Sequence, residues 1–411
     1  MDNNAIVTAS QQKPQATSVL IMILLMIPLE LPLGLALDLY LPSIPAMAST
    51  LNSSGQMIQL TLTLFMYCFG FGQLVAGPIT DSIGRIPVLR GSLILFTLGS
   101  LLCTFSNSIS LLLFGRVLQG FGACGTQVVA FALVRDKFDG KDATIIYTAL
   151  KGAMTIAPIV APILGAFLSV KYGWKMNFAV LSAYGIGVYL LCHFAIKESF
   201  YKQKTTQKNF IQHIVNSIAP YQQIILNKQF LYFGFCGLVT QAAMFGYFSL
   251  SPQYFVNLYG LSEATFAKLF SINAFTFLLT SIFAGKAIYR LGLSNSTLLG
   301  GALLLLSGSL MMTAHFHYAH PYVLFLPNLI ASSAASFLLG AAASGAMMPF
   351  KQHAGRAAAL FGCFEFVGGA SVGQMAIWGN TISILPLATI LIVLSILLGL
   401  SNRLLLKAEQ C

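Results

Sequence analysis

Charge is what this sequence has least of: Asp, Glu, Lys and Arg make up 8% of 411 residues, against about a quarter in soluble domains. So little charge cannot clothe a water-soluble surface, which excludes an ordinary globular domain. Paired cysteine spacing is missing too. Cys68, Cys103, Cys124, Cys192, Cys236 and Cys363 lie in apolar runs and Cys411 at the end, which suits small packing residues better than a disulfide framework or metal site. No Gly-rich phosphate loop, catalytic carboxylate pair in a soluble segment or nucleophile element is found, so ATP-driven and enzymatic chemistry have no support. The first apolar run has no cleavage site followed by a soluble domain, so it is expected to stay as a helix.

What the chain does have is apolar length, with 57% hydrophobic residues. A helix crossing the hydrocarbon core needs roughly 20 such residues, so the chain has room for about twelve spans with short connections. Apolar runs between polar breaks predict spans near 20–44, 57–79, 91–110, 111–134, 143–170, 176–196, 229–254, 263–287, 295–315, 321–348, 356–379 and 381–403. The fold class expected is an all-α polytopic membrane protein. The one long polar segment, rich in Lys, Gln and Asn, lies midway. It divides the chain into an N-terminal half (1–196), a linker (197–228) and a C-terminal half (229–411) of six helices each. A weak internal repeat agrees: GPITDSIG at 77–84 follows the second span and GKAIYRLG at 285–292 the eighth, both with glycines seven apart. Two similar halves around a midplane cavity are a common plan of secondary transporters.

The formal net charge of +11 does not form one basic face, so nucleic acid is not an expected partner. The basic residues recur in or beside every second connection, from Lys13 through Arg85, Arg90, Arg135, Lys137 and Lys141 to Lys286, Arg290, Lys351, Arg356 and Arg403. The positive-inside rule then places both termini and the 197–228 segment in the cytoplasm.

Several motifs carry chemistry. Gly77-Pro78-Ile79-Thr80-Asp81-Ser82-Ile83-Gly84-Arg85 has the form G-x-x-x-D-x-x-G-R, in which glycines permit a tight turn and Asp81 and Arg85, four apart, can pair. Arg116, in Gly115-Arg116-Val117-Leu118-Gln119-Gly120, lies inside a span, where a charge must face a cavity or partner. With that span starting at 111, it sits about a turn and a half from the end. Pro158 and Pro162 share one face of the fifth span and each removes a backbone hydrogen bond. Gly165 and neighbouring alanines permit close packing, which predicts a bent helix. Glu30 and Asp38, eight apart, lie on nearly one face of the first span with no cation within four residues, and Pro42 and Ser43 are expected to end that span soon after. Lys151 in the fifth span and Glu365 in the eleventh are candidates for a central cavity, and Lys268 for snorkelling. His315, His317 and His320 crowd an outer loop without a convincing ligand spacing.

These motifs resemble the major facilitator superfamily: the 77–85 loop its signature after the second helix, Arg116-x-x-Gln119-Gly120 its fourth-helix element, and the 157–165 segment its antiporter motif, with Ala-Pro in place of Gly-Pro. Ile86 departs from the basic residue usual after the arginine. Asp38-Leu39-Tyr40-Leu41-Pro42-Ser43-Ile44-Pro45, Ala132-Leu133-Val134-Arg135-Asp136, Gly173-Trp174 and Gly355-Arg356-Ala357 further resemble the Bcr/CflA drug-resistance group. The paired Glu30 and Asp38 are similar to the first-helix acidic residues of MdfA-type multidrug antiporters.

The resemblance implies two pseudo-symmetric six-helix bundles in a bacterial inner membrane, exporting drugs or other small molecules in exchange for protons, as a monomer and without a bound cofactor. It implies that Asp81 and Arg85 latch the cytoplasmic side between halves. Glu30, Asp38, Arg116, Lys151 and Glu365 would form the proton and substrate region, with Arg116 biasing the carboxyls. Two other readings stand beside it. One is a dedicated exporter of an endogenous polar metabolite such as a carboxylate siderophore, suggested by Lys151 and Arg116. The other is a membrane-embedded enzyme or receptor.

Overall fold

The computed structural model describes residues 16–196, 221–350, 354–377 and 382–409. Residues 197–220 of the 197–228 linker, with Lys13, Lys351 and Cys411, lie outside the described residues. Among the described residues the ordered elements are helices, eleven of them long and apolar enough to cross a membrane. The longest, Glu263–His317, leaves helical geometry at Gly292 (φ 80°, ψ 168°) and so contains two spans, the eighth and ninth. The result is an all-α protein of about twelve spans, as the apolar length requires.

The first span runs Ser18–Thr50, the second Gly55–Ile83, the third Arg85–Thr104, the fourth Ile109–Lys137, the fifth Gly140–Tyr172 and the sixth Lys175–Ala195. The seventh runs Lys228–Leu258, the tenth Tyr322–Met347, the eleventh Gly355–Ile377 and the twelfth Leu385–Arg403. The second and fourth pack together, and the third packs on the fourth and sixth. The seventh packs on the tenth and eleventh, and the fifth reaches across to the eighth.

Two expected boundaries move. The third span begins at Arg85 instead of 91, because the basic residues that look like loop are accommodated: Arg85 is buried among acidic partners. The break between the third and fourth spans falls at 105–108, where Ser108 caps the next helix by accepting from the Leu111 amide at 3.3 Å. The first span does not end after Ser43. A 3-10 turn at Leu41–Ser43 hands the chain to a further helix, Ile44–Thr50. Pro42 and Pro45 sit near the starts of these two elements, where a missing amide hydrogen costs least.

The 77–84 and 285–292 repeats end alike. Gly84 (φ 101°, ψ 164°) and Gly292 (φ 80°, ψ 168°) occupy the mirror-extended region open only to glycine. Each turns one helix into the next without a spare residue. The cysteines are free and buried at Cys68, Cys103, Cys124, Cys192, Cys236 and Cys363, in keeping with packing roles.

Candidate functional site

The first span is where backbone polarity and function meet. Pro32 has no amide hydrogen, which leaves the Pro28 carbonyl without its helical donor. The Tyr184 hydroxyl of the sixth span donates to it at 2.7 Å. Helix Pro32–Asp38 then ends within the protein, leaving last-turn carbonyls in need of donors. Arg116 meets one of them: its Nη1 donates to the Ala36 carbonyl at 2.9 Å and its Nε to the Thr61 carbonyl at 3.2 Å. Nη1 also reaches Gln119 Oε1 at 2.7 Å, and Gln119 in turn donates to Ser100 Oγ at 2.7 Å. The guanidinium lies 4.8 Å from the Tyr40 ring centre and 4.4 Å from that of Phe65. A cation at a helix C-terminus and between aromatic faces is stabilised without a carboxylate.

Arg116 is fully buried and, with the helix starting at Ile109, lies about two turns in. Among the described residues no ion pair joins it to Asp38 or Glu30, so the expected direct influence on the carboxyls has no contact behind it. Arg116 Nη2 and Asp38 Oδ1 are both buried polar atoms without a hydrogen-bond partner among the described residues. Asp38 is 2% exposed. Beyond it the chain runs through a break at 39–40 and the 3-10 turn to helix Ile44–Thr50, so Asp38 lies well before the end of the first span.

Glu30, eight residues earlier in the same span, is 0% exposed. Its Oε1 accepts from Gln127 Nε2 at 2.9 Å and from Lys151 Nζ at 3.2 Å, while Oε2 has no partner among the described residues. The Lys151 ammonium also stands 4.9 Å from the Phe131 ring centre. Glu365 lies in a π-helical stretch, Phe364–Gly368, of the eleventh span, half-buried and within electrostatic range of Lys151. Single π-turns inside helices are common at functional positions. The structure therefore sets Lys151 between Glu30 and Glu365, and puts Asp38 a little over two turns along the first span with no contact to Arg116 among the described residues.

The fifth span meets this region along a line of small residues. Ala157 and Ala161 are buried, a side chain added at Gly34 would touch the Ala157 Cβ at 3.1 Å, and one added at Gly165 would collide with the Leu39 carbonyl. Gly165 is thus what lets the fifth span cross the first at its non-helical break. Pro158 and Pro162 lie inside the helix beside that line.

At the other end of the second span, Arg85 Nη1 bonds Asp81 Oδ1 at 2.6 Å and the Thr80 carbonyl at 2.9 Å, and its Nε bonds Asp136 Oδ2 at 2.9 Å. Gly84 makes the turn. Gly77 makes no close approach, since a Cβ there would find nothing within 4 Å. These acidic partners lie on the second and fourth spans, so the cluster ties together ends of the second, third and fourth.

Sequence reasoning left Asp136 and Gln127 off the site. Gln127 carried a signal, since Arg116, Gln119, Ala123 and Gln127 recur at helical spacing and the polar members mark one face of the fourth span, whereas Asp136 figured only as the last residue of the Ala132-to-Asp136 motif. Tyr184 carried none, being one tyrosine among 15. No group of His, Cys, Asp and Glu suited to a metal occurs among the described residues, the histidines at 315–320 included.

A family model described as the Major Facilitator Superfamily matches residues 28–373. The chain belongs to the major facilitator superfamily. A chloramphenicol resistance protein of Pseudomonas aeruginosa is 30% identical to this superfamily member over 372 residues, 87% of this chain and 86% of the relative. The multidrug resistance protein MdtL of Vibrio parahaemolyticus is 28% identical over 327 residues, 79% and 80% of the two chains. In fold it is similar to a D-xylose-proton symporter, with TM-score 0.73 at 13% identity over 92% of this chain and 97% of that one. The nucleoside transporter NupG superposes with TM-score 0.70 at 13% identity, over 94% and 99%. This superfamily member is a multi-pass membrane transporter and not an enzyme.

Proposed function

We propose that the chain exports lipophilic drugs or related small organic molecules in exchange for protons, across a bacterial inner membrane. The halves 1–196 and 229–411, joined by the 197–228 linker with both termini cytoplasmic, would alternate access by rocking. The observation that carries this reading is the buried Asp38 Oδ1, an acceptor without a hydrogen-bond partner among the described residues. Such groups cost free energy until something hydrogen-bonds them. A proton on Asp38 removes the charge; a donor group of a substrate reaching Asp38 satisfies the acceptor. Competition of proton and substrate for one carboxyl is the minimum an antiporter needs. The resistance names of the relatives support drugs as the substrate class. Export of an anionic metabolite has less support, since Lys151 is already engaged by Glu30 and Arg116 by carbonyls, Gln119 and two rings.

Proton release tests it. Chloramphenicol added to the detergent-solubilised protein is expected to release protons from the wild type, fewer from Asp38→Asn, and an unchanged number from Asp139→Asn, an exposed carboxyl. Equal release from wild type and Asp38→Asn would remove Asp38 from the mechanism.

A further inference from the structure

We infer that Lys151 is a tethered counter-ion that occupies the place of a cationic ligand at Glu30, and so directs the transporter to neutral or zwitterionic substrates and against permanent lipophilic cations. The inference rests on the drug-export reading above and names the substrate class of that site. A carboxylate buried in an apolar span attracts cations strongly, because little water screens it. Left alone, Glu30 would bind a hydrophobic monocation. It is not left alone: Lys151 Nζ lies 3.2 Å from Oε1, reaching Glu30 from 121 positions along the chain.

The two side chains differ in burial in the way the inference requires. Glu30 is 0% exposed, whereas the Lys151 side chain is 62% exposed. The lysine therefore covers the carboxyl from its open flank, where a ligand would arrive. That flank turns inward, since Glu365 on the eleventh span feels the same ammonium. Phe131 supplies an aromatic face 4.9 Å from Nζ, a surface equally suited to a quaternary or phosphonium cation. The site thus already has the parts of a lipophilic-cation site, with the chain's own cation in it.

A tethered group competes at high effective concentration. A free monocation must displace the lysine and leave its ammonium without Glu30 as partner. A neutral molecule leaves the ion pair intact and bonds to Asp38.

Tetraphenylphosphonium and chloramphenicol, titrated into the purified full-length protein, test this. Lys151→Gln is expected to bind tetraphenylphosphonium about tenfold more tightly than wild type, equivalent to about 1.4 kcal/mol. Lys151→Arg should keep the wild-type preference. Adding Glu30→Gln to Lys151→Gln should abolish the gain, and adding Glu365→Gln should not. Unchanged tetraphenylphosphonium affinity in Lys151→Gln, or a gain that survives Glu30→Gln, overturns the inference. A second variant covers any folding failure of Lys151→Gln. Glu30→Gln alone should leave the weak tetraphenylphosphonium binding of the wild type unchanged, and a loss of more than about tenfold would show that Glu30 receives the cation in spite of Lys151. Chloramphenicol binding to wild type reads the export proposal separately, since its absence counts against that proposal without altering what the lysine variants report.

Discussion

Arg116 is held without a carboxylate because three oxygens and two rings converge on it: the Ala36 and Thr61 carbonyls, Gln119 Oε1, Tyr40 and Phe65. A lysine has neither the planar fork nor the reach to serve oxygens on two other helices at once. Arg116→Lys should therefore leave the end of helix Pro32–Asp38 unsatisfied, at about 1–3 kcal/mol for each orphaned group. A melt in detergent should show a lower midpoint than for Lys268→Arg, an exposed exchange; equal midpoints would assign Arg116 no structural role. At this scale much was readable in advance, for a charge in an apolar run announces itself. The partners were not. Lys151 and Glu30 are 121 positions apart, and Arg85 and Asp136 are 51 apart, so only folding brings each pair together.

Elements were readable where their hydropathy was uniform and misplaced where a polar group had a hidden partner. The third span was expected six residues too late because Arg85 reads as loop until its acidic partners are in place. The first span looked shorter because Pro42 reads as a stop, whereas a proline in the first turn of a new element is tolerated. The crossing of the first and fifth spans leads to a sharp expectation. Gly165→Ala puts a methyl group against the Leu39 carbonyl, so it should lower both abundance and transport, while Gly187→Ala on the sixth span, where a Cβ meets nothing within 4 Å, should change neither. Membrane abundance and transport of the two variants check this together. The junction glycines add backbone strain, since both have positive φ. Gly84→Ala and Gly292→Ala should each cost about 1–3 kcal/mol although there is room for the methyl group at Gly292, measurable as a lower melting midpoint.

For the whole molecule, about twelve helices follow from apolar length, and the basic loops set the expected orientation. Tags at both termini should resist external protease in intact cells, and cleavage from outside would reverse the topology. The relation between the halves was beyond reach of the sequence, since it depends on contacts such as Tyr67 with Ser371 at 2.9 Å and Phe69 against Phe366 at 4.8 Å between the second and eleventh spans. The Arg85 cluster belongs to this scale if it governs closure. Asp81 is 56% exposed and Asp136 19%, so screening weakens the first pair more. Asp136→Asn should slow transport more than Asp81→Asn, with substrate binding kept in both; the reverse order would make Asp81 the principal partner.

The central claim is that proton and substrate exchange at the Asp38 region. Its most direct measurement is chloramphenicol flux in proteoliposomes with an imposed pH gradient. Wild type should accumulate the drug on the acid side, a protonophore should abolish the accumulation, and Asp38→Asn should allow equilibration at most. Equal flux with and without the gradient, or gradient-driven accumulation that persists in Asp38→Asn, would contradict the account.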